Sequence, residues 1–258
     1  GGKTIYKIGA DVSPDVDKFE AKTYTTPEYQ YKNAPTTTMD ARYFVPDKAA
    51  YEKPKAGYPL VVWLHGGGET GTDNRVHVAA NNVPAWTEEE TQDIFGGAYI
   101  LAPQNHASAG TGAPAATMSV IQQFIKEMGD VDTSRVYIGG CSYGGMGTWQ
   151  MLRNYPDYFA AAYPICCSID LTEAEIKSLA DLPIYMTVSS GDTIFRFPYG
   201  MIDLYNQLKA AGNENLHITI FEHSEFEGQD AFIAERGLGA LDHWSWVYVH
   251  NNYDAKGD

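Results

Sequence analysis

Apolar runs of strand length recur along the chain at residues 60–64, 98–102, 136–138, 159–167, 184–188 and 216–221. They are rich in Val, Ile and Tyr and lack strict alternation, as expected of strands buried on both faces. Helical spacing fills the intervals. Met118, Ile121, Ile125 and Met128 share one helix face, and Met201, Leu204, Leu208 and Ala211 share another that Gly212 terminates. Residues 144–154 form a third helical stretch, and Thr172-Glu173-Ala174-Glu175 is a capping box that opens a fourth. The first 57 residues are polar and rich in Thr and Tyr, with strand-like pieces at 19–25 and 40–46. The pattern predicts an α/β fold: a mostly parallel sheet of about eight strands with helices on both faces. In such sheets ligands sit beyond the carboxyl ends of the strands, so motifs there carry the most weight.

Composition narrows this only a little. The 258 residues include 18 basic and 33 acidic side chains, a formal net charge of −15. That excludes a general affinity for nucleic acid or anionic membrane, both of which need a basic surface. No apolar run approaches the roughly 18 residues of a transmembrane helix. No repeat or low-complexity linker divides the chain, so a single domain over 1–258 is expected: N-terminal strands and extension at 1–57, and a catalytic core at 58–258. The three cysteines, Cys141, Cys166 and Cys167, are odd in number and two are adjacent. They imply no disulfide framework. Apolar flanks read as buried free thiols, and without a C-x-x-C pair or nearby His spacing no metal site is expected from them. No cofactor is expected. The chain opens with Gly1-Gly2, has neither initiator Met nor leader pattern, and is low in Lys; a trimmed, secreted protein is the expectation.

The sharpest motif is Gly139-Gly140-Cys141-Ser142-Tyr143-Gly144-Gly145. It contains Gly-x-Ser-x-Gly between the strand at 136–138 and a helix, the context of a nucleophile elbow. A tight strand-to-helix turn lifts the Ser142 hydroxyl above the sheet, and the helix N-terminus sets free N–H groups beside a developing oxyanion. Leu64-His65-Gly66-Gly67-Gly68-Glu69-Thr70-Gly71 follows the strand at 60–64. A His-Gly-Gly-Gly run there supplies the second oxyanion N–H. The two donors are read as the amides of Gly67, with Gly68 as runner-up, and of Tyr143. His65 is read as bracing the loop. The order Ser, then Asp, then His makes Asp192, just past the strand at 184–188, the orienting acid. Four histidines follow it: His217, His223, His243 and His250. His217 lies inside a strand, and pattern alone does not separate His223 from His243 as the base.

These motifs, with Phe159-Ala160-Ala161-Ala162-Tyr163-Pro164-Ile165-Cys166, Ser190-Gly191-Asp192-Thr193 and His243-Trp244-Ser245-Trp246, resemble the α/β-hydrolase fold. Within it they resemble the single-domain carboxylesterases grouped with prolyl-oligopeptidase-like serine hydrolases. The resemblance spans about residues 40–250. It implies His243 as the base, from the His-x-Ser-Trp ending, and hydrolysis of carboxylic esters through an acyl-enzyme. Such enzymes carry a final helix after that histidine. Only residues 244–258 follow it here, so that helix is expected to be missing. The ~57 leading residues cannot form a propeller, which argues against a peptidase.

Long segments at 69–97, 105–117 and 224–241 are expected to wall the pocket, with Trp86 and Trp244 as substrate-pocket candidates. Aromatic walls suit phenolic or polysaccharide-linked esters of the feruloyl or acetyl type. The expected partner is thus a small-molecule or polysaccharide-linked ester, with no nucleic acid and no membrane. Two rival readings remain: a peptidase or amidase on the same residues, and a non-catalytic binding module on a hydrolase fold.

Overall fold

The computed structural model describes residues 14–31, 34–105, 113–192, 194, 199–221 and 241–250. Eight strands form one sheet: β1 (Glu20–Tyr31), β2 (Ala34–Phe44), β3 (Tyr58–Leu64), β4 (Tyr99–Gln104), β5 (Val131–Cys141), β6 (Ala161–Ile165), β7 (Ile184–Ser189) and β8 (Leu216–Phe221). Their order is β1-β2-β4-β3-β5-β6-β7-β8. The β1–β2 and β2–β4 pairs are antiparallel, and every pair from β4–β3 to β7–β8 is parallel. This is the α/β-hydrolase fold, with strands at all eight expected places.

β3 and β4 are buried along their whole length, which is why their sequences do not alternate. All seven residues of β3 and all six of β4 are buried. Leu60, Val62 and Leu64 point into one core, while Val61 and Trp63 point into the other. The first core is closed by α3 (Pro114–Met128), α4 (Tyr143–Asn154), α5 (Glu173–Ser178) and α6 (Tyr199–Ala210), through residues such as Phe124, Trp149, Ile176 and Leu208. The second is closed by α1 (Val76–Ala79), a 3₁₀ turn at Val83–Thr87, α2 (Glu89–Phe95) and α7 (Trp246–His250), through Val78, Val83 and Trp246. Thr172 caps α5 with both halves of the expected capping box, and Gly212 takes φ +99° just beyond α6.

Two elements differ from expectation. β1 does not stop at Thr25 but runs on past Pro27 to Tyr31, through a register shift between Thr25 and Tyr29. An edge strand absorbs a proline at such a bulge, because that residue's missing N–H faces no partner. Residues 69–97, expected as a loop, instead fold into α1, the 83–87 turn and α2, entered through a 3₁₀ turn at Gly67–Glu69. The longest of these has seven residues, too short to reveal a helical period. A helix also follows His243 directly, at Trp246–His250. Among the described residues, no helix is long and apolar enough to cross a membrane.

Trp149 is fully buried and donates its indole N–H to the Cys167 carbonyl at 3.1 Å. Trp149→Ala should therefore lower the unfolding free energy by about 3–5 kcal/mol, measured by urea denaturation.

Candidate active site

The groups of interest stand at the carboxyl ends of four adjacent strands. The Gly67 loop leaves β3, Ser142 leaves β5, Cys166 leaves β6 and Asp192 follows β7. Ser142 is the N-cap of α4 and has φ 55°, ψ −120°. That is a strained conformation for a non-glycine residue, costing on the order of 1–3 kcal/mol. The surroundings impose it. The Ser142 N–H is shared between the Ile165 carbonyl at 3.1 Å and Cys166 Sγ at 3.2 Å, both at the end of β6. A side chain at position 144 would collide with the Leu64 and His65 carbonyls, so only glycine lets the first turn of α4 sit on the end of β3. Ser142 is half-buried and Tyr143 is exposed.

Asp192 and His243 meet, although 51 positions separate them. The His243 Nδ1 lies 2.7 Å from Asp192 Oδ2. The other carboxylate oxygen, Oδ1, accepts the Ile194 N–H at 2.9 Å. Both residues are buried. His243 is carried by a 3₁₀ turn, Leu241–Trp244, seated where any side chain at position 191 would strike the Asp242 carboxylate. The Trp246 ring meets the imidazole edge-on, with centroids 5.8 Å apart. The acid–imidazole pair therefore has a fixed distance and a dry setting. In that setting an Asp holds the Nδ1–H tautomer and leaves Nε2 as the acceptor. His223 lies outside the described residues, as does nearly all of the 224–241 segment expected to wall the pocket. His217 sits within β8 against Tyr185, and His250 is buried beside Trp63 and Trp86.

The loop after β3 is braced from below. His65 Nδ1 lies 2.6 Å from the Gly66 carbonyl, and its Nε2 accepts the Asn105 N–H at 2.9 Å, which suits a neutral ring carrying its proton on Nδ1. His65 thus braces the loop, in keeping with its sequence reading. His77 packs edge-on beneath it, with ring centroids 6.0 Å apart, and bonds the Ala102 carbonyl through Nε2 at 2.9 Å. Gly67 lies against the Tyr143 ring, where a side chain would clash. Gly68 has open space around it. The Gly67 loop is thus packed against the side chain of the residue that follows Ser142.

Three residues of this region had no assigned part in the sequence reading. Glu69 carries a carboxyl that burial pushes above the usual carboxylate range, against hydrogen bonds from the Asn81 side chain and the Glu69 and Gly66 backbones and the attraction of nearby His243. Asn81 is buried, and its Oδ1 accepts the Trp63 indole N–H at 3.2 Å and the Cys141 thiol at 3.9 Å. Cys166 is buried, as its apolar flanks imply, but it stands beside Ser142 rather than in inert core. Its thiol is pushed well up by burial and then by the charge of Asp192. The signal for Glu69 lay in its position within the Gly-rich motif; nothing local marks Asn81 or Cys166.

The structure does not bring Trp86 to this site. Its ring packs among Phe95, Tyr163 and His250, and its indole N–H bonds His250 Nδ1. The groove it borders, about 370 Å³, lies on the second face of the sheet with Tyr185, Phe221 and Val249. The 3₁₀ turn at Val83–Thr87 carries it there. Trp244 adjoins His243 and stacks obliquely on Trp246, with centroids 5.8 Å apart. A small cavity of about 30 Å³ opens beside the Gly-rich loop, lined by His65, Gly66, Thr70, Asn105, Tyr143 and Gln150 among others.

Residues 105–190 match the prolyl oligopeptidase family. The chain is 28% identical to a thermostable esterase of known structure, with a TM-score of 0.72, covering 92% of this chain and 61% of that one. It is 29% identical over 140 residues to poly(3-hydroxyalkanoate) depolymerase C of Paucimonas lemoignei, 46% of this chain and 31% of the depolymerase. A ferulic acid esterase shares the fold at 16% identity and a TM-score of 0.54, covering 89% of this chain and 99% of that one. The chain therefore spans less than two thirds of the length of the first two of these proteins.

Burial, and next the neighbouring His65, push the His77 pKa from 6.5 down to about 3. The unfolded chain then binds a proton at this residue that the folded chain refuses. Stability from this group is complete above pH ~6.5 and is lost as pH falls toward ~3, by up to about 1.4 kcal/mol per pH unit. Urea unfolding at stepped pH should show this acid slope, and His77→Gln should flatten it.

Proposed function

We propose that this chain, which has the α/β-hydrolase fold, is a serine hydrolase of the prolyl-oligopeptidase-like group and within it a carboxylesterase, with Ser142 as nucleophile, His243 as base and Asp192 as the acid that orients the base. The observation that carries the reading is the 2.7 Å Asp192–His243 pair at the same sheet edge as the strained Ser142 elbow. In the proposed cycle His243 accepts the Ser142 hydroxyl proton as its oxygen attacks the ester carbonyl. The carbonyl oxygen becomes an oxyanion held by the Gly67 and Tyr143 amides, each such donor being worth about 2.7–4 kcal/mol. The imidazolium, stabilised by Asp192, then protonates the leaving alcohol. Water repeats the sequence on the acyl-enzyme and frees Ser142.

Ester rather than amide chemistry is supported by the relatives near 28% identity, an esterase and a poly(3-hydroxyalkanoate) depolymerase. The match of residues 105–190 to the prolyl oligopeptidase family favours peptide or amide hydrolysis as the second reading. Matched nitrophenyl esters and peptide anilides separate the two. For the substrate, phenolic or polysaccharide-linked esters remain our proposal. Trp86 no longer supports it, because it lies on the other sheet face, whereas Trp244 beside His243 still does. Such polymers are extracellular, which accords with a secreted enzyme.

Ser142→Ala should lower turnover of a short-chain nitrophenyl ester by about 10⁴–10⁶. Turnover near that of the wild type, or a wild type inert to a fluorophosphonate probe, would return the binding-module reading to the front. Glu69→Ala should slacken the Gly-rich loop and lower kcat by about tenfold or more with KM little changed, since oxyanion contacts form only in the transition state. Glu69→Gln, which keeps an acceptor for the Gly66 N–H, should recover part of that loss.

A further inference from the structure

Beside Asp192 and His243 stands a group that ester hydrolysis does not use. Cys166 follows β6 in the left-handed region, with φ 47°, a conformation that a non-glycine residue keeps only where its surroundings fix it. There its sulfur lies against the Ser142 N–H. The Cys166 sulfur, a carboxylate oxygen of Asp192 and an imidazole nitrogen of His243 all lie within 4.8 Å of one another, and all three residues are buried. Among the described residues, no other trio of His, Cys, Asp or Glu converges in this way.

Thiolate, imidazole and carboxylate together are a donor set for a borderline-soft divalent cation. A tetrahedral zinc ion holds nitrogen and oxygen at about 2.0–2.2 Å and sulfur at about 2.3 Å, so its ligand atoms stand roughly 3.3–3.7 Å apart. The widest separation among the three atoms thus exceeds that spacing by no more than about 1.5 Å, a gap that side-chain rotations close. We propose that Cys166, Asp192 and His243 form an inhibitory site for a thiophilic divalent cation such as Zn²⁺ or Cd²⁺. Binding replaces the S–H bond of Cys166 with a sulfur–metal bond and releases that proton to solvent, with no change of oxidation state. It draws the imidazole and the carboxylate onto the metal, where they no longer serve Ser142. Loss of turnover rests on the catalytic roles proposed above; binding does not.

Cadmium titration tests both parts, because a cadmium–thiolate bond gives a charge-transfer band in the ultraviolet. The intact protein should develop the band with one equivalent of Cd²⁺ and lose nitrophenyl ester turnover in parallel. Cys166→Ser should lose the band and need about tenfold or more Zn²⁺ for the same inhibition relative to its own activity. Cys141→Ala should titrate like the wild type, and His243→Ala should weaken binding as read by the band. A band or an inhibition that persists unchanged in Cys166→Ser overturns the site, as does a wild type that shows no band in excess Cd²⁺. A Cys166-dependent band without loss of turnover keeps the metal site and overturns the role given to His243.

Discussion

The site depends on how closely α4 can approach the ends of β3 and β6. Ser142 is held at φ 55° because its N–H is tied to Ile165 and Cys166 and because Gly144 permits backbone contact with Leu64. Strain at one residue is small beside the burial of the two cores around it, so the sheet fixes the turn and the turn cannot relax alone. Every other group in the site takes its position from that contact. The Gly-rich loop leaves the same end of β3, so Gly67 reaches Tyr143. Asp192 leaves β7, two strands away, at a distance an imidazole can bridge.

A second layer is electrostatic. Glu69, Asn81, Trp63 and Cys141 connect the Gly-rich loop to the strand that ends in the elbow. A buried carboxyl is costly unless hydrogen bonds satisfy it, and Glu69 receives them from the loop whose shape it maintains. His65 and His77 extend the bracing outward to Asn105 and Ala102. With burial holding His77 down to about 3, it carries no charge at neutral pH and packs as a shaped polar wedge.

Much of this was legible in the sequence, and the exceptions have physical causes. Six strands could be read as short apolar runs, and the two N-terminal ones as Thr- and Tyr-rich pieces of strand propensity within a polar segment. The end of β1 was missed because Pro27 breaks a run without ending an edge strand. Helices of four and seven residues between β3 and β4 lie below the length at which periodicity speaks, and so Trp86 was read as a pocket residue on a loop. Ser142 and the Gly-rich loop are local in sequence and could be named from motifs. The partner of Asp192 is distant in sequence. The residues alone left His223 and His243 open, and the structure shows His243 bonded to the acid, while His223 lies outside the described residues. Cys166 was read as a buried thiol, as it is, with no neighbours named, since convergence of three strand ends leaves no trace in residue spacing.

The turn that carries His243 enters the site last in the order of the chain. Among the described residues the β-sheet has all its strands by Phe221, and the elbow, the Gly-rich loop and Asp192 all precede that point. A chain emerging from the ribosome can therefore finish its scaffold and nucleophile before the imidazole that would activate that serine has been made. On the roles proposed for Ser142 and His243, chemical competence comes after the scaffold, conferred by a short segment docking on Gly191. A nascent hydrolase built in this order is spared reaction with its surroundings while it is still incomplete.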